Sequence, residues 1–415
     1  MFDLNLAVRE GDERDTVLGV RPKLVFEPGS VEEAAEVMAR CARDGARLLF
    51  VGGGTDLEAG HPPEAIDAVL RTGGLGRILE HAPSDQIVVA EAGVPLARLQ
   101  ETVQAHGQRL ALDPPWPDRS TLGGLVASNA FGPLRARYGS IRDLIIGVSI
   151  VRADGTGSRG GGKVVKTVAG FDIPKLMVGS LGTLGLIATV TFRLHPLPET
   201  SAMVLVPRCS AALLRNLVRE MRRAQLEPAS AVAILAGPLT FDLSVQFEGF
   251  AAGVEQQRDR FMSLLAQSGV ENGRTADRPA ADDFRARHDA VRGPSSLRAK
   301  IAAPRSAVES VAADVLAPTL ATLQDAGAIW YPTLGLGFLG GACGAADPTA
   351  AALSRARSVL AAFGGSLTLA AAPAEIRARV DVWGDRPSSF PLMQAMKSRL
   401  DPDGRLAPGR FVGTL

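Results

Sequence analysis

The chain has 415 residues, 46% hydrophobic and 21% charged, which is enough for two domains with separate cores and is the balance of a globular protein. Basic and acidic side chains number 45 and 44, a formal net charge of +1 that gives no electrostatic footprint for nucleic acid or an anionic membrane. Apolar runs such as Leu144-Ile145-Ile146-Gly147-Val148 are far shorter than a bilayer span, and the start of the chain lacks a signal peptide's basic and apolar regions, so a cytoplasmic protein without a transmembrane segment is expected.

Residues 1–20 carry no clear pattern and read as a loose leader. Lys23-Leu24-Val25-Phe26 reads as a strand. Ser30 and Glu33 have the spacing of a capping box, and Val31, Ala34, Ala35, Met38 and Ala42 give the following helix one apolar face, closed by Gly45. Arg47 to Val51 is the next strand, so a β-α-β unit delivers Gly52-Gly53-Gly54-Thr55-Asp56 to the end of a buried strand. Glycines without Cβ let successive N–H groups turn to one side and form a concavity suited to an anion, a diphosphate above all. The fingerprint G-x-G-x-x-G is not met, since Leu57 stands where its last glycine would be.

Gln86–Glu91 reads as a strand and Pro95–His106 as a helix with Leu96, Leu99 and Val103 inward. Asp113-Pro114-Pro115 then leads to a second glycine segment, Thr121-Leu122-Gly123-Gly124, which opens a helix whose N-terminal N–H groups also attract phosphate. Two such segments predict a dinucleotide diphosphate held from both sides. Leu144–Val151 reads as a strand turning at Asp154-Gly155. Gly157 to Lys163 resembles a phosphate loop, but Val164 replaces the magnesium-binding hydroxyl and no strand leads into it. Asp172–Met177 is a short helix, and 186–194 alternates as a half-buried strand before Pro196 and Pro198 close the domain.

Beyond this the pattern becomes two rounds of strands and helices. Strands at 203–206, 231–235, 241–247, 297–302 and 328–334 alternate with helices at 211–225, 253–267, 307–324 and 348–363, with a polar connection at 271–297. The fold class is α+β. A nucleotide-binding domain covers 1–198, a cap with an antiparallel sheet and helices on one face covers 199–385, and a C-terminal segment covers 386–415. Cys41, Cys209 and Cys343 form no disulfide framework, and the five histidines show no ligand spacing, so no metal is expected.

Gly52-Gly53-Gly54-Thr55, Thr121-Leu122-Gly123-Gly124, Arg137-Tyr138-Gly139-Ser140-Ile141-Arg142-Asp143 and Gly179-Ser180-Leu181-Gly182-Thr183-Leu184-Gly185-Leu186-Ile187 occur in that order. This series resembles the FAD-binding domain of the vanillyl-alcohol oxidase and p-cresol methylhydroxylase (PCMH-type) superfamily. Lys166-Thr167-Val168-Ala169-Gly170-Phe171-Asp172 and the tail Leu400-Asp401-Pro402 through Pro408-Gly409-Arg410 resemble, within it, the FAD-binding subunits of glycolate oxidases.

The resemblance implies FAD, with 52–56, Pro115 and 121–124 about the diphosphate. It implies Ser128, Gly132, Tyr138 and Gly139 near the isoalloxazine and Ile187 at the adenine. The tail is implied to return near the flavin, with Ala407 where the family often has Asn. The first loop has no His or Cys to tether a flavin, which implies noncovalent FAD.

Catalytic relatives carry a His-rich metal motif in the cap. The comparable stretch here, Trp330 to Phe338, has no His or acid. That departure favours a flavin-bearing subunit that relays electrons to a second flavoprotein subunit and an iron–sulfur subunit, and that attaches to the inner membrane through these partners. The substrate implied is a 2-hydroxy acid such as glycolate. Its carboxylate needs a cation, for which Arg298 and Lys300 are candidates beside the reading of a charged surface; no catalytic residue is assigned. A stand-alone FAD oxidoreductase and a non-catalytic assembly scaffold are the alternative readings.

Overall fold

The computed structural model describes residues 8–163 and 171–415, so the Lys166–Gly170 part of the glycolate-oxidase-like motif and residues 1–7 lie outside the described residues. The chain forms two compact units. One comprises the described residues up to Gly132 with Gly139–Leu197 and Asp385–Leu415, the other Pro133–Tyr138 and Pro198–Gly384.

The first unit holds two main sheets. The first contains β1 (Val8–Glu10), β2 (Leu24–Phe26), β3 (Leu48–Val51) and β4 (Ala68–Arg71), in the order β1-β2-β4-β3. Helix α1 (Val31–Arg43) joins β2 to β3, with Ser30 Oγ accepting from the Glu33 amide at 3.1 Å and the Glu33 carboxylate accepting from the Gly29 amide at 2.7 Å. Its buried stripe is Ala34, Val37, Met38 and Cys41. The β-α-β unit is present, yet its two strands are not neighbours: β4 lies between them, parallel to both.

Residues 8–20 are not a loose leader. β1 pairs with β2, and Asp15, 3% exposed, accepts from Arg9 Nη1 and Arg71 Nη2, each at 2.6 Å. The free edge of β3 is covered by the tail, since the Leu48 amide donates to Arg405 O at 2.8 Å and the Ala407 amide donates back to Leu48 O at 2.7 Å. Covering an edge removes a template for unwanted strand pairing.

The second sheet, β5-β6-β10-β8-β9, is antiparallel throughout. Its strands are β5 (Ile78–Ala82), β6 (Ile87–Glu91), β8 (Ile145–Val151), β9 (Gly157–Gly161) and β10 (Leu186–Arg193), beside the short pair β7 (Gln108–Arg109) and β11 (His195–Pro196). Helices α2 (Leu96–Gln104) and α3 (Leu122–Ser128) share one core with it, including Val88, Leu99, Leu122, Ile150 and Phe192. Gly157–Gly161 of that run is thus a hairpin strand, and Lys163 beyond it pairs with Glu80.

The second unit is built on an eight-stranded antiparallel sheet. Its strands are β12 (Thr200–Ser210), β13 (Ser230–Gly237), β14 (Thr240–Gly249), β15 (Arg274–Thr275), β16 (Leu297–Ala302), β17 (Leu323–Tyr331), β18 (Leu336–Cys343) and β19 (Ser366–Ala371), in the order β15-β12-β14-β13-β17-β18-β16-β19. One face carries the main core, with Leu217, Phe241, Phe261, Val315, Trp330 and Leu353, under helices 211–223, 251–267 and 346–361.

Two elements differ from expectation. The expected polar connection contains a helix, Arg278–Arg292, whose His288 stacks on Tyr331 on the face alternating with Trp330. The expected helix to Gln324 ends at Leu320 after a π turn at Val311–Leu316. Pro318 offers no N–H to the turn before it, which a wider turn accommodates, and β17 starts at Leu323.

Candidate functional site

β3 is apolar and buried, with Leu48 fully buried and Leu49 and Val51 each 3% exposed, so its direction is fixed by packing. At Gly52 the chain leaves the sheet and meets the segment before α3 at very short range. A Cβ on Gly52 would lie 2.2 Å from Thr121 Oγ1, and one on Gly53 would lie 1.6 Å from Arg119 O. Ser120 Oγ, whose hydroxyl reaches Pro115 O at 3.0 Å and Thr55 Oγ1 at 3.3 Å, braces the same junction. The two glycine segments therefore press on each other through their backbones, and side chains other than hydrogen would separate them.

Their amides have different fates. Among the described residues, the amides of 52–56 donate to no acceptor. In the second segment Leu122 N donates to Val94 O at 2.9 Å, Gly123 N to Ala92 O at 2.8 Å and Gly124 N to Thr121 Oγ1 at 3.3 Å. The expectation that α3 offers unpaired N-terminal amides to phosphate does not hold for these three, because the turn after β6 supplies acceptors to Leu122 and Gly123 and the Thr121 side chain caps Gly124.

Both segments wall one solvent-open cleft of about 110 Å3. Gly52, Gly53, Gly54, Thr55, Asp56, Thr121, Gly123, Gly124, Ser128 and Ile187 all line it. Ser128 Oγ is buried and, among the described residues, has no hydrogen-bond partner. Leu122 is buried beneath the cleft, and Pro115 stands behind it through Ser120.

Gly132 and Gly139 do not line the cleft: Cβ atoms there would meet Asp113 O at 1.9 Å and the Asp143 side chain at 2.8 Å, so both are explained by packing. Tyr138 falls in the second unit.

Arg410, absent from the sequence-based set, lines the cleft and is 4% exposed. Its Nη2 donates to Leu57 O at 2.8 Å and to Ala59 O at 2.5 Å, so the tail carries a positive charge to the first loop and holds its far side. Asp56 places a carboxylate on the same wall, and a guanidinium there offsets its repulsion of an anion. Phe50, Leu181 and Leu186 supply apolar wall. Unpaired amides, a buried hydroxyl, one guanidinium and apolar sides fit a dinucleotide carrying a flat ring system.

In the second unit Arg298 and Lys300 alternate along β16 with buried Leu297, Ala299 and Ile301, so they share the face away from the main core. Lys300 is in register with Phe338, over whose ring the Arg292 guanidinium lies at 4.2 Å. Arg292 Nη1 reaches Tyr331 OH at 3.4 Å, and His288 Nε2 is 2.7 Å from the same hydroxyl. Burial, with the positive charges of Arg135 and Arg292, pushes the Lys300 amine down to about 8. Among the described residues no group of three or more His, Cys, Asp or Glu side chains is placed to hold a metal, and no helix is long and apolar enough to cross a membrane.

Comparison with known proteins agrees with this geometry. Residues 22–160 match the family model described as an FAD binding domain. The chain is 32% identical over 185 residues to the glycolate oxidase subunit GlcE of Escherichia coli (strain K12), covering 44% of this chain and 51% of that protein. It is 31% identical over 207 residues to a D-lactate dehydrogenase of Archaeoglobus fulgidus, covering 50% and 46%. The chain thus spans about half the length of these relatives. The crystal structure of p-cresol methylhydroxylase with substrate bound superposes with a TM-score of 0.72 at 15% identity, covering 94% of this chain and 89% of that one, which shows a shared fold. Residues 22–160 are therefore similar to an FAD-binding domain, and both glycine segments fall inside that match.

Proposed function

We propose that this chain is the FAD-binding subunit of a complex that oxidises a small 2-hydroxy acid such as glycolate, and that it passes the electrons to partner subunits. The observation that carries the reading is the cleft itself, with the amides of 52–56 without acceptors and Arg410 in its wall. Partial matches to a glycolate oxidase subunit and a D-lactate dehydrogenase support the substrate class.

Gly52 to Asp56 would hold the FAD diphosphate through main-chain amides, with Arg410 supplying the charge. Thr121 to Gly124 would form the opposing wall, and Ile187 and the apolar sides would exclude water. Bound there, FAD supplies the two-electron acceptor for oxidation of the hydroxy acid. With no His or Cys in Gly52–Asp56, FAD is held noncovalently, and acid precipitation should release the yellow colour into the supernatant. Colour that stays in the pellet would sink that point.

In the second unit Arg298 and Lys300 take the substrate carboxylate. A protonated lysine attracts that anion and a neutral one does not, so binding weakens as pH rises through about 8. The expected result is a kcat/KM that falls above pH 8, with the fall flattened in Lys300→Met.

The decisive experiment records the visible spectrum of the purified chain, then adds glycolate or D-lactate with and without a second flavoprotein subunit and an iron–sulfur subunit. Bleaching that needs the partners supports the complex. Bleaching by the chain alone assigns a stand-alone enzyme, and a colourless protein that ignores added FAD defeats the flavin reading.

A further inference from the structure

A second cavity of about 290 Å3 lies in the first unit beneath the C-terminal helix Phe390–Leu400. Its wall is apolar, with Leu176, Val178, Leu184, Met393, Met396 and Phe411. None of its lining residues belongs to the flavin cleft, but the two share a partition. Leu181 and Gly182 face the cleft, while Ser180, Thr183 and Leu184 face this cavity. Hydrogen bonds donated by the Gly179 amide to Val126 O and by the Leu181 amide to Ala127 O, both 2.9 Å, hold the partition against α3.

Two polar groups in the wall decide what the cavity can take. Lys397 is 8% exposed, and its ammonium is satisfied by Thr183 O at 2.9 Å, Asp401 Oδ2 at 2.6 Å and Leu406 O at 2.8 Å. An ammonium has three protons to donate, and all are used, so Lys397 brings its hydrocarbon stem and no available charge. Ser180 is the opposite case. It is 3% exposed, and its Oγ has no hydrogen-bond partner among the described residues. A buried hydroxyl left unsatisfied is costly, and an acceptor arriving from a ligand would relieve that cost.

We propose that this cavity binds a neutral, ring-sized apolar molecule bearing a carbonyl, which accepts a hydrogen bond from Ser180 Oγ. Apolar cavities of about 150 Å3 hold benzene, so this one has room for roughly twelve non-hydrogen atoms. The site does not depend on the chain's redox role, since it needs only the fold of the first unit.

The test compares duroquinone, a ring of this size with two carbonyls, with durene, the hydrocarbon of the same outline. Binding is read by ligand-observed NMR on the full chain with FAD added. Duroquinone should bind about fivefold more tightly than durene, the worth of one ordinary hydrogen bond. Ser180→Ala should abolish that preference and leave durene binding unchanged. Met396→Trp, which fills the cavity, should remove both, with Met393→Trp as a second filling variant and thermal melting confirming that each is folded. Equal affinity of the two probes for the unmodified chain, no binding of either, or binding that survives in a folded filling variant would overturn the proposal.

Discussion

The two glycine segments of the first unit look alike in sequence and do different work. Gly52-Gly53-Gly54 keeps its amides without acceptors and faces a cleft, whereas Leu122, Gly123 and Gly124 give theirs to Val94 O, Ala92 O and Thr121 Oγ1. In the first, glycine lets the chain pass the Arg119 carbonyl and leaves N–H groups for a ligand. In the second, glycine lets α3 lie directly on the turn after β6. A glycine-rich stretch thus marks close approach, and what approaches is decided by where the nearest carbonyls are.

The strongest way to break this comparison is Gly53→Ala. Its Cβ would lie 1.6 Å from Arg119 O, a backbone atom that cannot rotate away. The expected cost exceeds about 3 kcal/mol, above the usual range for overpacking, because the two segments must part. Chemical unfolding should show the loss, and FAD affinity should fall with it. A variant as stable as the parent would mean that the junction is not load-sharing between the segments.

Gly123→Ala tests the packing side. Its Cβ would come within 2.6 Å of the Ala92 Cβ and 3.1 Å of Ala92 O. The expected destabilisation is about 1–3 kcal/mol, reduced by the better helix propensity of alanine. FAD affinity of the folded protein should change less than stability does, and the reverse ordering would reassign Gly123 to the ligand.

Arg410→Met sharpens the ligand side. It deletes the guanidinium that spans Leu57 O and Ala59 O, and its positive charge at the cleft wall. FAD should bind about tenfold more weakly, or about 1.4 kcal/mol, with a smaller salt dependence of Kd by titration. Unchanged affinity would restrict Arg410 to a structural tie.

How much of this could be read in the sequence follows the range of the interactions. The first loop was legible because Leu48 to Val51 ends abruptly in three glycines, a local signal. The fate of the Leu122 and Gly123 amides was not, since their acceptors lie about thirty residues earlier, in a turn with no motif of its own. Arg410 was hidden for the same reason on a larger scale: its tail pairs with the edge of β3 from the far end of the chain. The C-terminal Pro408-Gly409-Arg410 stood out as a motif without revealing that the arginine is its working part. Helix Arg278–Arg292 was missed because its buried residues, Ala281, Phe284 and His288, are few and diluted by exposed charges. The π turn at Val311–Leu316 keeps a helical apolar spacing, with Val308, Val311, Ala312, Val315 and Leu316 buried, so it reads as ordinary helix.

The mildest change, Gly124→Ala, divides the two roles most finely. Gly124 is exposed, lines the cleft, and its Cβ would approach only Thr121 Oγ1, at 3.1 Å. A hydroxyl can shift by a few tenths of an ångström, and alanine favours the helix, so stability should rise by up to about 1 kcal/mol. The added methyl projects into the space that the diphosphate would use, and FAD affinity, read by flavin fluorescence, should fall about tenfold. Such a split, with stability up and affinity down, is what a glycine kept for its ligand produces. Unchanged affinity would assign the whole second segment to packing and leave the first loop as the single backbone cradle for the cofactor.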